Sequence, residues 1–188
     1  MIIDVSFQSS YSLEVLEKLG TEERYYYPSG VSHGGKDGLI VKVTHSKGES
    51  WIGVFAFGEI SYKGLYGVYT TPNPDKFCVI SRGAGYIVSS LNPNDWEEVD
   101  FIPIIDVRSI KSQSIIVFAD FTDLIAYGEN GIKWHTERVA HDSFKITEVT
   151  DRYLRGQFWN IRNEANETFE IDLLSGSQVG GRNQRNMK

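Results

Sequence analysis

The 188-residue chain has one cysteine, two methionines and five prolines, and no apolar run long enough to cross a bilayer. Each scarcity removes an explanation. A single thiol, Cys78, excludes an internal disulfide and the multi-thiolate cage of a zinc or iron–sulfur site. It stands in KFCVI between apolar neighbours, the setting of a buried inert thiol. Basic residues are also short, 19 Lys and Arg against 25 Asp and Glu, for a formal net charge of −6. Phosphate binding needs clustered Lys and Arg, so no nucleic acid is expected as partner. The opening MIIDVSFQSS carries neither a basic leader nor a long apolar stretch, so a cytoplasmic location and no membrane partner are expected.

What is present is core material. Hydrophobic residues make up 40% of the chain and aromatics 13%, enough to bury a sizeable interior, and a chain of this length suits a single domain over residues 1–180. The end, GRNQRNMK (181–188), is basic and nearly devoid of apolar residues, which predicts a flexible tail.

Near the start, SSYSLEVLEKLG places Leu13, Leu16 and Leu19 at helical spacing between Ser and Gly20 caps, which predicts one short helix over 12–20. Thereafter the period is two. GLIVKVTH, WIGVFAFG, GLYGVYTT, KFCVIS and GYIVSS read as short strands separated by the glycine turns KDG, SKGE and RGAG. The segment NPNDWEEVDFIPIIDV mixes turn residues, acids and two prolines, and predicts a crossover between sheets near 92–106. SIIVFAD, DLIAYG and GIKWHTERV follow, the latter two joined at Asn130-Gly131, a dipeptide suited to hairpin positions of positive φ. SFKITEV, YLRGQFW and TFEIDLL complete an all-β, mainly antiparallel meander of blade-like twisted sheets.

DLIAYG, the turn at Asn130-Gly131, GIKW and two alternating strands closing in DLLSG resemble a blade of the quinoprotein-type β-propellers, in which glycine turns join strands and a Trp docks between blades. The whole chain is also similar to a family of bacterial and plant β-rich proteins without an assigned activity, on GVYTTPNP, SRGAGYIV, FADFTDLIAYGENGIKW, GQFWN and DLLSGSQVGG. The blade resemblance implies a small four-bladed propeller as the alternative architecture. Four blades of about 40 residues would consume nearly the whole chain, so packed antiparallel sheets are the expected form.

Chemistry is sparse. The histidines His33, His45, His135 and His141 form neither HxH nor HExxH, and no metal or other cofactor is expected. No G-x-S-x-G elbow occurs, and GVSHGGKDG and SRGAG do not match a phosphate loop. Asp120 and Asp123 in ADFTD offer paired carboxylates for acid–base work, or simply turn acceptors. With His135 and His141 they are the catalytic candidates of a small hydrolase or carbohydrate-active enzyme. Alternation sets Trp134 and His135 on opposite faces, so Trp134, His135, Arg138, Arg155 and Trp159 are the binding candidates. The favoured expectation is a non-catalytic binding or protein-interaction module. Its partner would be another protein or a second copy of the chain, since open meanders leave edge strands to be covered.

Overall fold

The computed structural model describes residues 1–28, 37–48, 50–58, 64–142 and 144–181. The chain packs as two compact units, Met1–Ile104 and Ile105–Lys188. The division falls within the 92–106 segment, whereas the sequence reading treats 1–180 as one domain.

In the first unit the strands are β1 (Ile2–Asp4), β2 (Tyr11–Leu16), β3 (Arg24–Tyr27), β4 (Gly38–His45), β5 (Ser50–Ala56), β6 (Tyr66–Thr70), β7 (Lys76–Ser81), β8 (Ala84–Ser89) and β9 (Trp96–Glu98). They form a five-stranded sheet, β1-β6-β7-β8-β9, and a four-stranded sheet, β2-β4-β5-β3. Pairing is antiparallel except β1 with β6 and β3 with β5. The two sheets share an aromatic core. Tyr27 stacks on Phe55 with ring centroids 4.7 Å apart and meets Trp96 edge-on at 5.5 Å. Its hydroxyl donates to the Pro93 carbonyl, and the Trp51 indole donates to that of Ser90, so both polar tips are satisfied inside an apolar layer.

The helix expected over 12–20 is absent. Among the described residues there is no α-helix, and Tyr11–Leu16 is the strand β2, paired with β4 from Tyr11 opposite His45 to Leu16 opposite Ile40. The stretch also alternates, with Tyr11, Leu13 and Val15 packing inward and Ser12 and Glu14 exposed. A short helix adds little stability of its own, whereas β4 offers a full ladder and a core face, so tertiary pairing wins. Ser10 caps no helix and instead donates to the Pro74 carbonyl.

The second unit holds β10 (Asp106–Ile110), β11 (Ile115–Ala119), β12 (Leu124–Gly128), β13 (Gly131–His135), β14 (Phe144–Val149), β15 (Tyr153–Asn160), β16 (Ala165–Asp172) and β17 (Gln178–Gly180). Both of its sheets are antiparallel meanders, β10-β11-β12-β13 and β14-β15-β16-β17. They close on a core that includes Ile115, Val117, Leu124, Trp134, Leu154, Phe158 and Phe169. All five residues of β11 are buried, which explains the near-continuous apolar run SIIVFAD.

The hairpin at Asn130 departs from expectation in one detail. Glu129 and Asn130 occupy the turn, and only Gly131 has positive φ, at 105°. The positive φ thus falls on the glycine that follows the turn, and a register shift lies further along the hairpin between Ala126 and Tyr127. The all-β fold is thus established, as four mainly antiparallel sheets. Among the described residues, no helix is long and apolar enough to cross a membrane.

Candidate functional site

The acidic turn after β11 is built by Asp120. Its Oδ1 accepts from the Thr122 amide at 2.6 Å, the Asp123 amide at 2.7 Å and the Thr122 hydroxyl at 3.2 Å. One carboxylate oxygen thus satisfies three donors of a tight turn, the role Asp plays at such positions. Asp123 immediately precedes β12, with Oδ2 3.7 Å from His135 Nε2 and Oδ1 buried without a hydrogen-bond partner. That separation is outside hydrogen-bond range, so the pair is not aligned for proton transfer.

On β13 the alternation places Trp134 inside and His135 outside. Trp134 is 7% exposed and its Nε1 donates to the Leu173 carbonyl at 2.9 Å. His135 is exposed. Arg138 staples the loop that follows, donating Nε to the Ala140 carbonyl and an Nη2 hydrogen to that of His141. His141 is thereby held in the same loop, and His33 lies outside the described residues, as do GVSHGG (30–35) and the end 182–188.

His135 and Glu137 line a cleft of about 340 Å³ whose other wall is the turn between β16 and β17, with Ser175 and Ser177, and the start of β17 at Gln178. Asp172 locks that turn. Its Oδ1 accepts from the amides of Leu174 and Ser175 and from the Ser175 hydroxyl, each at 3.0 Å. These bonds hold its carboxyl below the ordinary aspartate range, those from Ser175 contributing most. Ser175 Oγ is also hydrogen-bonded to Ser177 Oγ at 2.9 Å, a further bond within that turn.

Arg155 and Trp159 stand elsewhere, on the outward surface of the last sheet. Arg155 donates Nη1 to Glu148 at 2.9 Å and Nε to Glu170 at 2.6 Å. Trp159 is 53% exposed, while its strand neighbours Leu154 and Phe158 are buried. The nominated residues therefore fall into two places in the second unit, the β13 end with Asp120, Asp123, His135, Arg138 and His141 around the buried Trp134, and the β15 face with Arg155 and Trp159. Sequence reasoning missed the partners of the latter, Glu148, Gln157, Asn166, Thr168 and Glu170. Strand parity alone assigns Gln157 to the face of Arg155 and Trp159, but the neighbours across the sheet require the register. Elsewhere, Cys78 is fully buried and burial raises its thiol well above the usual range. Among the described residues, no three His, Cys, Asp or Glu gather into a metal-holding group.

No protein-family model matches the chain, and no curated protein does. Among solved structures it is similar to a chain of the complex of S. cerevisiae Dbp5 L327V bound to Nup159, Gle1 H337R, IP6 and ADP, at 11% identity over 95% of this chain and 53% of that one, with a TM-score of 0.42. The N-terminal domain of Nup159 gives a similar result, at 11% identity over 94% of this chain and 52% of that one, with a TM-score of 0.41. This chain spans about half the length of each. A likeness of that order assigns neither a site nor a partner.

Proposed function

We propose that the protein is a non-catalytic binding module acting through the outward surface of the β14–β17 sheet. The observation that carries the reading is Trp159, an indole more than half exposed on a strand whose Leu154 and Phe158 are turned into the core. Leaving a large apolar side chain in water forgoes about 1.5–3 kcal/mol that burial would recover, and a partner covering Trp159 recovers it. The groups nominated for catalysis support the same reading. Asp120 is occupied by turn donors, and Asp123 and His135 are 3.7 Å apart.

The test compares immobilised protein with its Trp159→Ala variant in clarified lysate, and analyses the retained material for both protein and carbohydrate. Material held by the parent and released by the variant is the expected result. Identical retention by the two proteins would overturn the assignment of this face. Hydrolysis of ester, phosphate or glycoside substrates that is lost on Asp123→Asn or His135→Ala would instead establish an enzyme.

A further inference from the structure

The chemistry of that outward surface narrows the class of ligand. Register fixes which side chains share it. Arg155, Gln157 and Trp159 have the same parity on β15, and directly opposite them on β16 stand Glu170, Thr168 and Asn166. On β14, Glu148 lies across from Arg155 and Lys145 across from Gln157, and Val179 of β17 lies across from Glu170. A groove of about 360 Å³ runs through the middle, with Thr147, Gln157 and Thr168 among its walls.

Charge comes first. Arg155 is held between two carboxylates at 2.6 and 2.9 Å, and at the next position of the same parity Tyr153 lies across from Asp172, whose Oδ2 is 3.8 Å from Arg152 Nε; with Lys145 the face carries three cations and three anions that cancel. An anionic ligand would have to take Arg155 from Glu148 and Glu170, and a cationic one would have to displace Arg155 from them. Neither exchange at Arg155 gains an ion pair, and an anion would gain only a solvent-screened contact to the exposed Lys145, so the balanced surface is matched to a neutral ligand. A protein partner fits poorly, because interface centres are depleted of charge and here an ion triad occupies the middle.

The remaining groups are hydroxyl partners and two aromatic rings, the exposed Trp159 and the half-buried Tyr153, whose ring is covered by the guanidinium groups of Arg152 and Arg155. The amides of Gln157 and Asn166 each offer donors and an acceptor, and the hydroxyl of Thr168 offers both. Sugar hydroxyls need that dual pairing. The electron-poor C–H face of a pyranose ring, in turn, stacks on the negative π-face of an indole. Residues of one parity are about 6.8 Å apart along a strand, so a chain of rings laid along β15 meets Trp159 and then Gln157 with Thr168.

We propose that this face binds a neutral oligosaccharide chain, with Trp159 as its stacking platform and Gln157, Asn166 and Thr168 as its hydroxyl partners. The proposal rests on the binding-module reading above. Its test is calorimetric titration of the full chain with cellohexaose, xylohexaose, maltohexaose and mannohexaose, with trigalacturonate as the charged comparison. At least one neutral hexasaccharide is expected to bind. Trp159→Ala should weaken that binding at least about tenfold, Gln157→Ala severalfold, and Trp159→Tyr should retain most of it, all with unchanged melting temperatures. The proposal fails if no neutral hexasaccharide binds at about millimolar concentration, if Trp159→Ala binds as the parent does, or if trigalacturonate is preferred. Loss of a lysate protein on Trp159→Ala without any sugar binding would sink the oligosaccharide and leave the binding module standing. Absence of both responses would remove both.

Discussion

The indole Nε1 of Trp134 donates to the main-chain carbonyl of Leu173 at 2.9 Å, joining β13 to the turn that follows β16. Gly176 of that turn packs against the same ring, with a φ of +72°, and a Cβ there would lie 2.8 Å from Trp134 Cγ. One buried side chain thus anchors two sheets of the second unit.

Truncation of Trp134 to Ala is expected to destabilise the protein by about 3–5 kcal/mol, because it forfeits the ring's transfer energy and leaves a cavity. Trp134→Phe keeps most of the apolar volume but strands the buried Leu173 carbonyl, at a cost of about 1–3 kcal/mol. Urea unfolding monitored by circular dichroism measures both. A midpoint unmoved in either variant would mean that Trp134 is not the anchor described.

Trp159 should behave in the opposite way. Its ring is 53% exposed and is not part of the hydrophobic core, so Trp159→Ala should change stability by less than about 0.5 kcal/mol while weakening ligand retention. The contrast between two tryptophans of one unit separates a packing role from a binding role in a single pair of denaturation curves.

For Asp120, three donors converge on one oxygen, and its removal leaves two turn amides without their acceptor. Asp120→Ala is expected to cost about 1–3 kcal/mol, and Asp120→Asn less, since the amide oxygen still accepts. Equal stability of all three proteins would speak against the turn role and return this carboxylate to the catalytic candidates.

These contrasts show which features were legible in the sequence. KFCVIS and GLIVKVTH coincide with β7 and β4 because each pairs a clean apolar pattern with flanking turn residues. β1, β3, β9 and β17 escaped because three or four residues are too few to display a period. At β2, Leu13, Leu16 and Leu19 satisfy a helical spacing while Tyr11, Leu13 and Val15 satisfy a strand, and only the pairing with β4 decides. The parity of Trp134 and His135 was readable locally. The outward face was not, because Glu148, Arg155 and Glu170 meet through strand register, which no local pattern encodes.

Cys78 should be silent in the native state. It is fully buried in β7, and desolvation raises its thiol above the usual range, so the reactive thiolate is scarce at neutral pH. A chromogenic disulfide reagent at pH 8 should label it only at the rate at which the protein opens, and rapidly in urea. Prompt stoichiometric labelling of the folded protein would contradict this burial.

Asp172 supplies the pH dependence. Its folded pKa is lowered from the ordinary value of 3.8, first by the Ser175 amide and hydroxyl, and then by the Leu174 amide and the Arg152 charge. A lowered folded pKa means that the unfolded chain binds the proton more readily. The contribution of Asp172 is therefore complete above pH 3.8 and fades as pH falls through the folded value. Unfolding free energies measured from pH 6 to pH 2 should fall more steeply for the parent than for Asp172→Asn, whose amide carries no titratable proton. Because hydrogen bonds from the Ser175 amide and hydroxyl dominate, with the Arg152 contact at 3.8 Å secondary, the difference in slope should survive 0.5 M salt, where the Debye length is about 4 Å. Parallel curves for the two proteins would show that the turn holding the Leu173 carbonyl beneath Trp134 does not depend on this carboxylate.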